Sequence, residues 1–348
     1  MTIEGLSSSR DRRDPREAHA PLAAVIGAGA WGTALASALA RGGYGVTLWA
    51  RQARVVAAIR DRRRNPAYLP DIDLPDGLMA TTDLAEALAR ASFVVMAVPS
   101  GALRAIARRI APRLARDVPV LFAGKGLEQG SGAFMTEVAE AVFAGHLAGV
   151  LTGPGFAAEV TRGEPTALTL AMAALAEGED HEVAREFALD FKAHLARAGL
   201  AVSLTDDVMG AQVGGALKNV VAIACGMAAG RGLGENARAA IITRGFEDMR
   251  KLALALGGRA ETLLGSSGAG DVFLTCASDQ SRNYRLGVAL GRGDERPSEV
   301  AEGISTAWAV HMLEQDEDLD LCLPPVIRAL WAHEISPEQA LARLLCAD

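Results

Sequence analysis

The 348-residue sequence predicts an α/β protein, with an N-terminal parallel sheet covered by helices and an all-α C-terminal domain behind it. Three observations carry that prediction. "LAAVIGAGAWGTALASALARGGYGVTLWAR" passes from a short apolar strand through Gly27, Gly29 and Gly32 into an alanine-rich helix and on to a second strand, which makes a βαβ unit. The runs "SFVVMAVPS", "VPVLFAGKG" and "GVLTGPG" are continuously apolar and stop at polar or glycine-rich turns, as strands covered on both faces do. From about Thr205 such runs cease and helical periodicity takes over. The chain therefore divides into a disordered tail over residues 1–20, a Rossmann-like domain over 21–204 and a helical domain over 205–348.

The glycines of the first unit have separate tasks in G-x-G-x-x-G spacing. Gly27 allows the tight turn, Gly29 lets the backbone approach a pyrophosphate, and Gly32 permits close packing of helix on strand. The pyrophosphate would rest on the helix N-terminus, where free N–H groups favour anions. The second strand ends in "LWARQAR", where an NAD site would carry an acidic residue. Arg51 and Arg54 instead suit the 2′-phosphate of NADP, so NADP is the preferred cofactor and NAD the alternative. Lys125, between Gly124 and Gly126, lies just past the carboxyl end of a later strand, where such sheets bind ligands. It is one of four lysines among 35 basic residues, which favours a site role over that of a surface loop lysine.

In the back half, "EDHEVAREFALDFKAHLARAG" reads as the last helix of the front domain, and "AVSLTDD" as the strand or linker that follows. Asp206 is a candidate N-cap, "ENARAAIITRGFEDMRKLALALGG" is an amphipathic helix ending in glycines, and "SPEQALARLLC" opens with a capping box from Ser336 to Gln339. Between Val208 and Gly230 Lys218 is the sole charged residue, so this helix should be buried and the lysine needs a reason to be there.

A net charge of −7 and a pI near 5.5 argue against a nucleic-acid partner, and Arg62-Arg63-Arg64 reads as a solvated face. The four cysteines stand apart in sequence, so neither a disulfide framework nor a metal site is expected, and six scattered histidines add no metal motif. No uninterrupted apolar run reaches the length that spans a bilayer, and the first twenty residues lack a signal peptide's apolar core. These readings place the chain in the cytoplasm without a membrane partner. The apolar helical half is compatible with a homodimer.

Three stretches of the helical half carry chemistry: "ALKNVV" with Lys218, "SSGAGDVFLTC" with Asp271 and Thr275, and "SRNYRLG" with Ser281, Arg282 and Asn283. Each has a structural alternative, Asp271 as an N-cap, Arg282 on a solvated face and Asn283 as a turn residue. Together they describe an anion site with a lysine and a carboxylate beside it.

These motifs, with "GAGAWGTALA", "GKGLE", "GPGFAAEV" and "VAEGISTA", resemble the NAD(P)-dependent glycerol-3-phosphate dehydrogenases, most closely the bacterial type that makes the phospholipid precursor. They stand in that family's order from residue 25 to about 308. The resemblance implies a Rossmann domain and an all-helical domain with the active site in the cleft between them. It also implies reversible reduction of dihydroxyacetone phosphate to sn-glycerol 3-phosphate. Lys218 matches the family's proton donor and acceptor, and Lys125 a lysine that touches both substrate and nicotinamide. Asp271, Ser281, Arg282 and Asn283 match substrate-binding positions, and Gly153 lies in the loop over the substrate. Ala30, Trp31, Arg51, Ala157, Arg282, Val300 and Glu302 match cofactor contacts, alongside Gly27, Gly29, Gly32 and Lys125.

The chain departs from the family's pattern in three places. Gly155 replaces a serine, Gln52 stands where a histidine or arginine is common, and the stretch before "VAEG" is short. In this reading Lys218 exchanges a proton with the substrate oxygen, Arg282 and Asn283 hold the phosphate, and Lys125 adds positive potential near the developing oxyanion. The rival readings are a ketopantoate reductase or β-hydroxyacid dehydrogenase, which share this two-domain plan, and a dinucleotide-sensing module that turns nothing over. The phosphate-suited "SRN" cluster favours a phosphorylated substrate over the first, and a lysine inside an apolar helix argues against the second.

Overall fold

A computed structural model describes residues 21–128, 130–176, 182–295 and 301–345. The expected tail over residues 1–20 and Val300 lie outside the described residues. The front half opens with β1 (Leu22–Ile26), α1 (Ala30–Arg41), β2 (Gly45–Trp49) and α2 (Ala53–Arg62). A small hairpin of β3 (Arg64–Asn65) and β4 (Leu69–Asp73) comes next, then β5 (Leu78–Thr81), α3 (Leu84–Leu88), β6 (Phe93–Met96) and α4 (Ser100–Ile110). The chain continues through β7 (Val120–Phe122), α5 (Met135–Val142), β8 (Ala148–Thr152) and α6 (Ala157–Arg162). It leaves the sheet by β9 (Thr166–Ala171), α7 (Glu182–Arg197) and β10 (Leu200–Thr205).

Eight of these strands form one sheet in the order β10-β9-β8-β7-β6-β1-β2-β5. Every neighbouring pair is parallel except β8 with β9, so the predicted parallel sheet ends in two strands that run the opposite way. The strand order turns around between β1 and β6, and the carboxyl ends on either side of that point open a crevice. Helices α1, α2 and α7 cover one face through Leu35, Ile59 and Phe191, while α3, α4 and α5 cover the other through Leu84, Leu103 and Val138. Burial on both faces is why the strands read as unbroken apolar runs.

The back half is helical, as predicted: α8 (Val208–Gly230), α9 (Glu235–Ala255), α10 (Asp271–Cys276), α11 (Arg282–Arg292), α12 (Glu302–Asp316), α13 (Leu323–Trp331) and α14 (Pro337–Leu345). Helix α8 is the axis around which the others pack. Asp207, and not the expected Asp206, caps it by accepting from Gly210 N at 2.9 Å, while Asp206 pairs with Arg259. Asp207 is the residue whose side chain faces inward, at 6% exposure. Glycines let α11 lie directly on α8. A β-carbon at Gly226 would stand 2.1 Å from Tyr284 O, and one at Gly287 would stand 2.0 Å from Ile223 O. Ser336 and Gln339 form the expected reciprocal cap of α14.

Two features of the helical half were not foreseen. Helix α8, at 23 residues, is long and apolar enough to cross a membrane by length and composition, yet 89% of its apolar window is buried inside the protein. Counting Lys218 as an interruption hid that length. Cys225 on α8 and Cys276 on α10, apart in sequence, meet in the core as free thiols. That contact and burial push the Cys276 thiol upward. The basic run behaves as a solvated face: Arg64 pairs with Asp73 and Arg63 with Asp76.

Candidate active site

The βαβ turn has the geometry its glycines require. Gly27 has φ of +116°, and a β-carbon there would meet Ala97 O at 2.6 Å. A β-carbon at Gly32 would stand 1.9 Å from Gly27 O. Around Gly29 the space is open, with nothing within 4 Å of an added β-carbon. Ala30 and Trp31 begin α1, which has neither a side-chain cap nor an acidic residue in its first turn, so no side chain of its own takes up its leading N–H groups.

Lys125 follows β7 and enters the cleft between sheet and helices. Its Nζ donates to Gly153 O at 2.6 Å and to Asp271 Oδ2 at 2.7 Å. It also stands 5.3 Å from the centre of the Trp31 ring. Lys218, one face of α8 above it, donates to Asp271 Oδ1 at 2.8 Å and to Thr275 Oγ1 at 2.9 Å. Asp271 is 1% exposed and divides its two oxygens between the two ammonium groups. Burial alone would raise its carboxyl, but Lys125 and Lys218 outweigh that and hold it below the ordinary carboxylate range. Burial pushes Lys125 down to about 8, against the pull of Asp271 and with help from the charge of Lys218. Two ammonium groups meet on one buried carboxylate, which suits an anionic ligand there, and Glu302 is a second carboxylate whose charge acts on Lys125.

A second thread of contacts reaches the other predicted residues. Asn219, next to Lys218, donates to Lys125 O at 3.0 Å and accepts from Asn283 Nδ2 at 2.9 Å. Asn283 Oδ1 in turn accepts from Gly303 N at 3.0 Å, beside Glu302 in the first turn of α12. The Glu302 carboxyl lies against Gly126, where an added β-carbon would be 3.9 Å from Cδ. Ser281 caps α11 by accepting from Tyr284 N at 3.2 Å. The "SRN" residues therefore do not line up as three free donors: Ser281 and Asn283 are turned into the fold, while Arg282 is exposed. Arg51 is exposed beyond β2, whereas Arg54 donates to Gln52 Oε1 at 2.9 Å. Gly153, with φ of +131°, and Gly155, packed on Trp31, precede Ala157 at the start of α6.

Thr275 and Asn219 complete the cluster, although neither was assigned a role of its own from the sequence. Their signal was adjacency, since Asn219 follows Lys218 and Thr275 lies one helical turn after Asp271. Thr152, at the end of β8, is 1% exposed with no partner for its hydroxyl among the described residues, and nothing in the sequence marked it.

A dinucleotide-type crevice facing a buried lysine–aspartate–lysine cluster defines a two-domain oxidoreductase. The N-terminal and C-terminal models of NAD-dependent glycerol-3-phosphate dehydrogenase match residues 23–177 and 207–342. The chain belongs to that family. It is 44% identical over 332 residues to the glycerol-3-phosphate dehydrogenase (NAD(P)+) of Stenotrophomonas maltophilia strain K279a, covering 93% of this chain and 94% of the relative. The corresponding protein of Rhodospirillum rubrum is 46% identical over 331 residues, covering 92% and 91%. The crystal structure of glycerol-3-phosphate dehydrogenase from Coxiella burnetii superposes with a TM-score of 0.86 at 34% identity, covering 94% of this chain and 99% of that one. A ketopantoate reductase from Ralstonia eutropha shares the fold at a TM-score of 0.55 and 17% identity.

Proposed function

We propose that this chain reduces dihydroxyacetone phosphate reversibly to sn-glycerol 3-phosphate, with NADPH preferred to NADH, as a cytoplasmic step toward phospholipid synthesis. The observation that carries this reading is the sharing of Asp271 between Lys125 and Lys218 at the junction of the two halves. In the same reading residues 21–204 form the cofactor domain and 205–348 the substrate domain. The apolar character of the helical half is compatible with a homodimer.

The glycine turn fits a dinucleotide. The open space at Gly29 and the uncapped start of α1 at Ala30 and Trp31 suit a pyrophosphate, and exposed Arg51 suits a 2′-phosphate. Ala157, Glu302 and Val300 complete the cofactor residues in this assignment. When bound, the reduced nicotinamide supplies the hydride equivalent that the carbonyl carbon receives.

The chain's own residues supply position and the proton. Exposed Arg282 binds the phosphate, so that remote binding energy orients the carbonyl in the cleft. Asn283, through Asn219, fixes the start of α11 relative to Lys125. The ammonium of Lys125 stabilises charge that develops on the carbonyl oxygen. Lys218 gives that oxygen its proton, held in direction by Asp271 and Thr275, and takes it back in the oxidation direction.

The test is oxidation of NADPH and of NADH by the purified protein at several concentrations of dihydroxyacetone phosphate, with ketopantoate as the competing ketone. Turnover with the phosphate ester that is much faster with NADPH supports the reaction and the role of Arg51. Equal rates keep the reaction and remove the arginine argument. Turnover confined to ketopantoate overturns the substrate.

A further inference from the structure

Asn65 lies on the short hairpin strand β3, outside the main sheet, and is 0% exposed. A fully buried amide in a two-residue strand has no part in the core, so its hydrogen bonds identify its task. Its Nδ2 donates to Ala28 O at 3.0 Å and to Thr33 Oγ1 at 2.8 Å. Ala28 stands between Gly27 and Gly29 of the turn, and Thr33 is in the first turn of α1. One side chain thus ties the turn and the helix start to a separate piece of the fold. Its Oδ1 is buried without a partner among the described residues, a cost that the two donated bonds must offset.

The peptide plane converts this clamp into a consequence for ligand binding. No cis peptide occurs among the described residues, and in a trans peptide the C=O of one residue points opposite to the N–H of the next. Drawing the Ala28 carbonyl onto Asn65 therefore turns the Gly29 N–H the other way, away from the hairpin, at a residue whose missing β-carbon leaves open space. We propose that Asn65 is a positioning residue for the cofactor, which aims the Gly29 N–H at the pyrophosphate by holding the Ala28 carbonyl from behind. The proposal rests on the dinucleotide reading of the crevice.

The test is calorimetric titration with ADP-ribose, which carries the pyrophosphate without the nicotinamide, alongside steady-state kinetics. For Asn65→Ala the Kd for ADP-ribose and the KM for NADPH rise about tenfold, the scale of one lost hydrogen bond to a charged group. The kcat and the KM for the ketone phosphate stay within about twofold. Asn65→Ser, which removes the amide but leaves a polar group in the buried site, carries the same comparison if the alanine variant does not fold. Thr33→Val removes the second bond and leaves the Ala28 carbonyl held, so it lowers the melting temperature and leaves ADP-ribose affinity within about twofold. Unchanged ADP-ribose affinity in both Asn65 variants, or a loss in Thr33→Val as large as theirs, overturns the proposal. Wild-type protein that binds neither ADP-ribose nor NADPH overturns the dinucleotide reading itself, and a wild type that binds ADP-ribose while the Asn65 variants bind equally well overturns Asn65 alone.

Discussion

Lys218 Nζ stands 2.8 Å from Asp271 Oδ1, although the two residues are 53 positions apart and belong to different helices. The contact explains a charge inside an otherwise apolar helix: neither group is left to bear its burial alone, and Asp271 keeps a second ammonium in Lys125. In Lys218→Ala that second pairing remains, so the carboxylate is not stranded and the fold survives. Turnover falls at least ~10²-fold, while NADPH affinity is nearly unchanged. Retention of more than about a tenth of the wild-type rate would remove Lys218 from proton transfer.

Lys125 makes a different prediction, about pH. Because burial lowers it to about 8, its charge is present below that pH and is lost as pH rises through it. The KM for the ketone phosphate should therefore rise on an alkaline limb that begins near pH 8. An arginine keeps its charge throughout this range. Lys125→Arg binds substrate less well but shows no such limb, and the same limb in the variant would assign it to another group.

How far these residues were legible in the sequence depends on what each one needed. Gly27, Gly29 and Gly32 were readable because backbone geometry prescribes their spacing, and Lys218 because an apolar helix makes a charge conspicuous. The reversal of β9 and β10 was not, since a buried strand reads alike in either direction. Ser281 and Asn283 had the right chemistry in the sequence, but their orientation is set by the start of α11 and by Asn219. Asn65 was invisible for the same reason, because its partners at Ala28 and Thr33 lie more than thirty residues away.

The close approach of α11 to α8 is itself testable. A β-carbon at Gly226 would stand 2.1 Å from the backbone oxygen of Tyr284, and backbone yields less readily than a flexible side chain. Gly226→Ala should cost roughly 2–3 kcal/mol of stability and reduce turnover, since α11 begins with Arg282 and Asn283. Gly234→Ala, where nothing lies within 4 Å of the added carbon, should change stability by less than about 1 kcal/mol. Equal melting temperatures for the two variants would show that the helices can part without cost.

Asp248 on α9 accepts from Cys322 N at 2.9 Å and from Leu323 N at 2.7 Å, joining α9 to the start of α13. It is 2% exposed, and burial pushes its carboxyl up to about 6 although both N–H groups and Lys251 favour the charged form, while Glu314 adds to the rise. The folded chain therefore binds this proton more tightly than the unfolded chain does. That contribution to stability is complete below the ordinary value of 3.8 and is lost as pH rises through about 6, so at neutral pH Asp248 is a strained anion. The ceiling of the effect is about 3 kcal/mol. Other carboxylates, such as Asp206 beside Arg259, are held low and lose stability in acid, so total stability hides the effect of Asp248. The difference between wild type and Asp248→Asn isolates it, because the amide accepts one of the two N–H groups and does not titrate. As pH falls from 7 to 4.5, the melting temperature of wild type should rise relative to the variant. A constant difference across that range would mean that Asp248 titrates at its ordinary value, with the N–H groups of Cys322 and Leu323 fully compensating its burial.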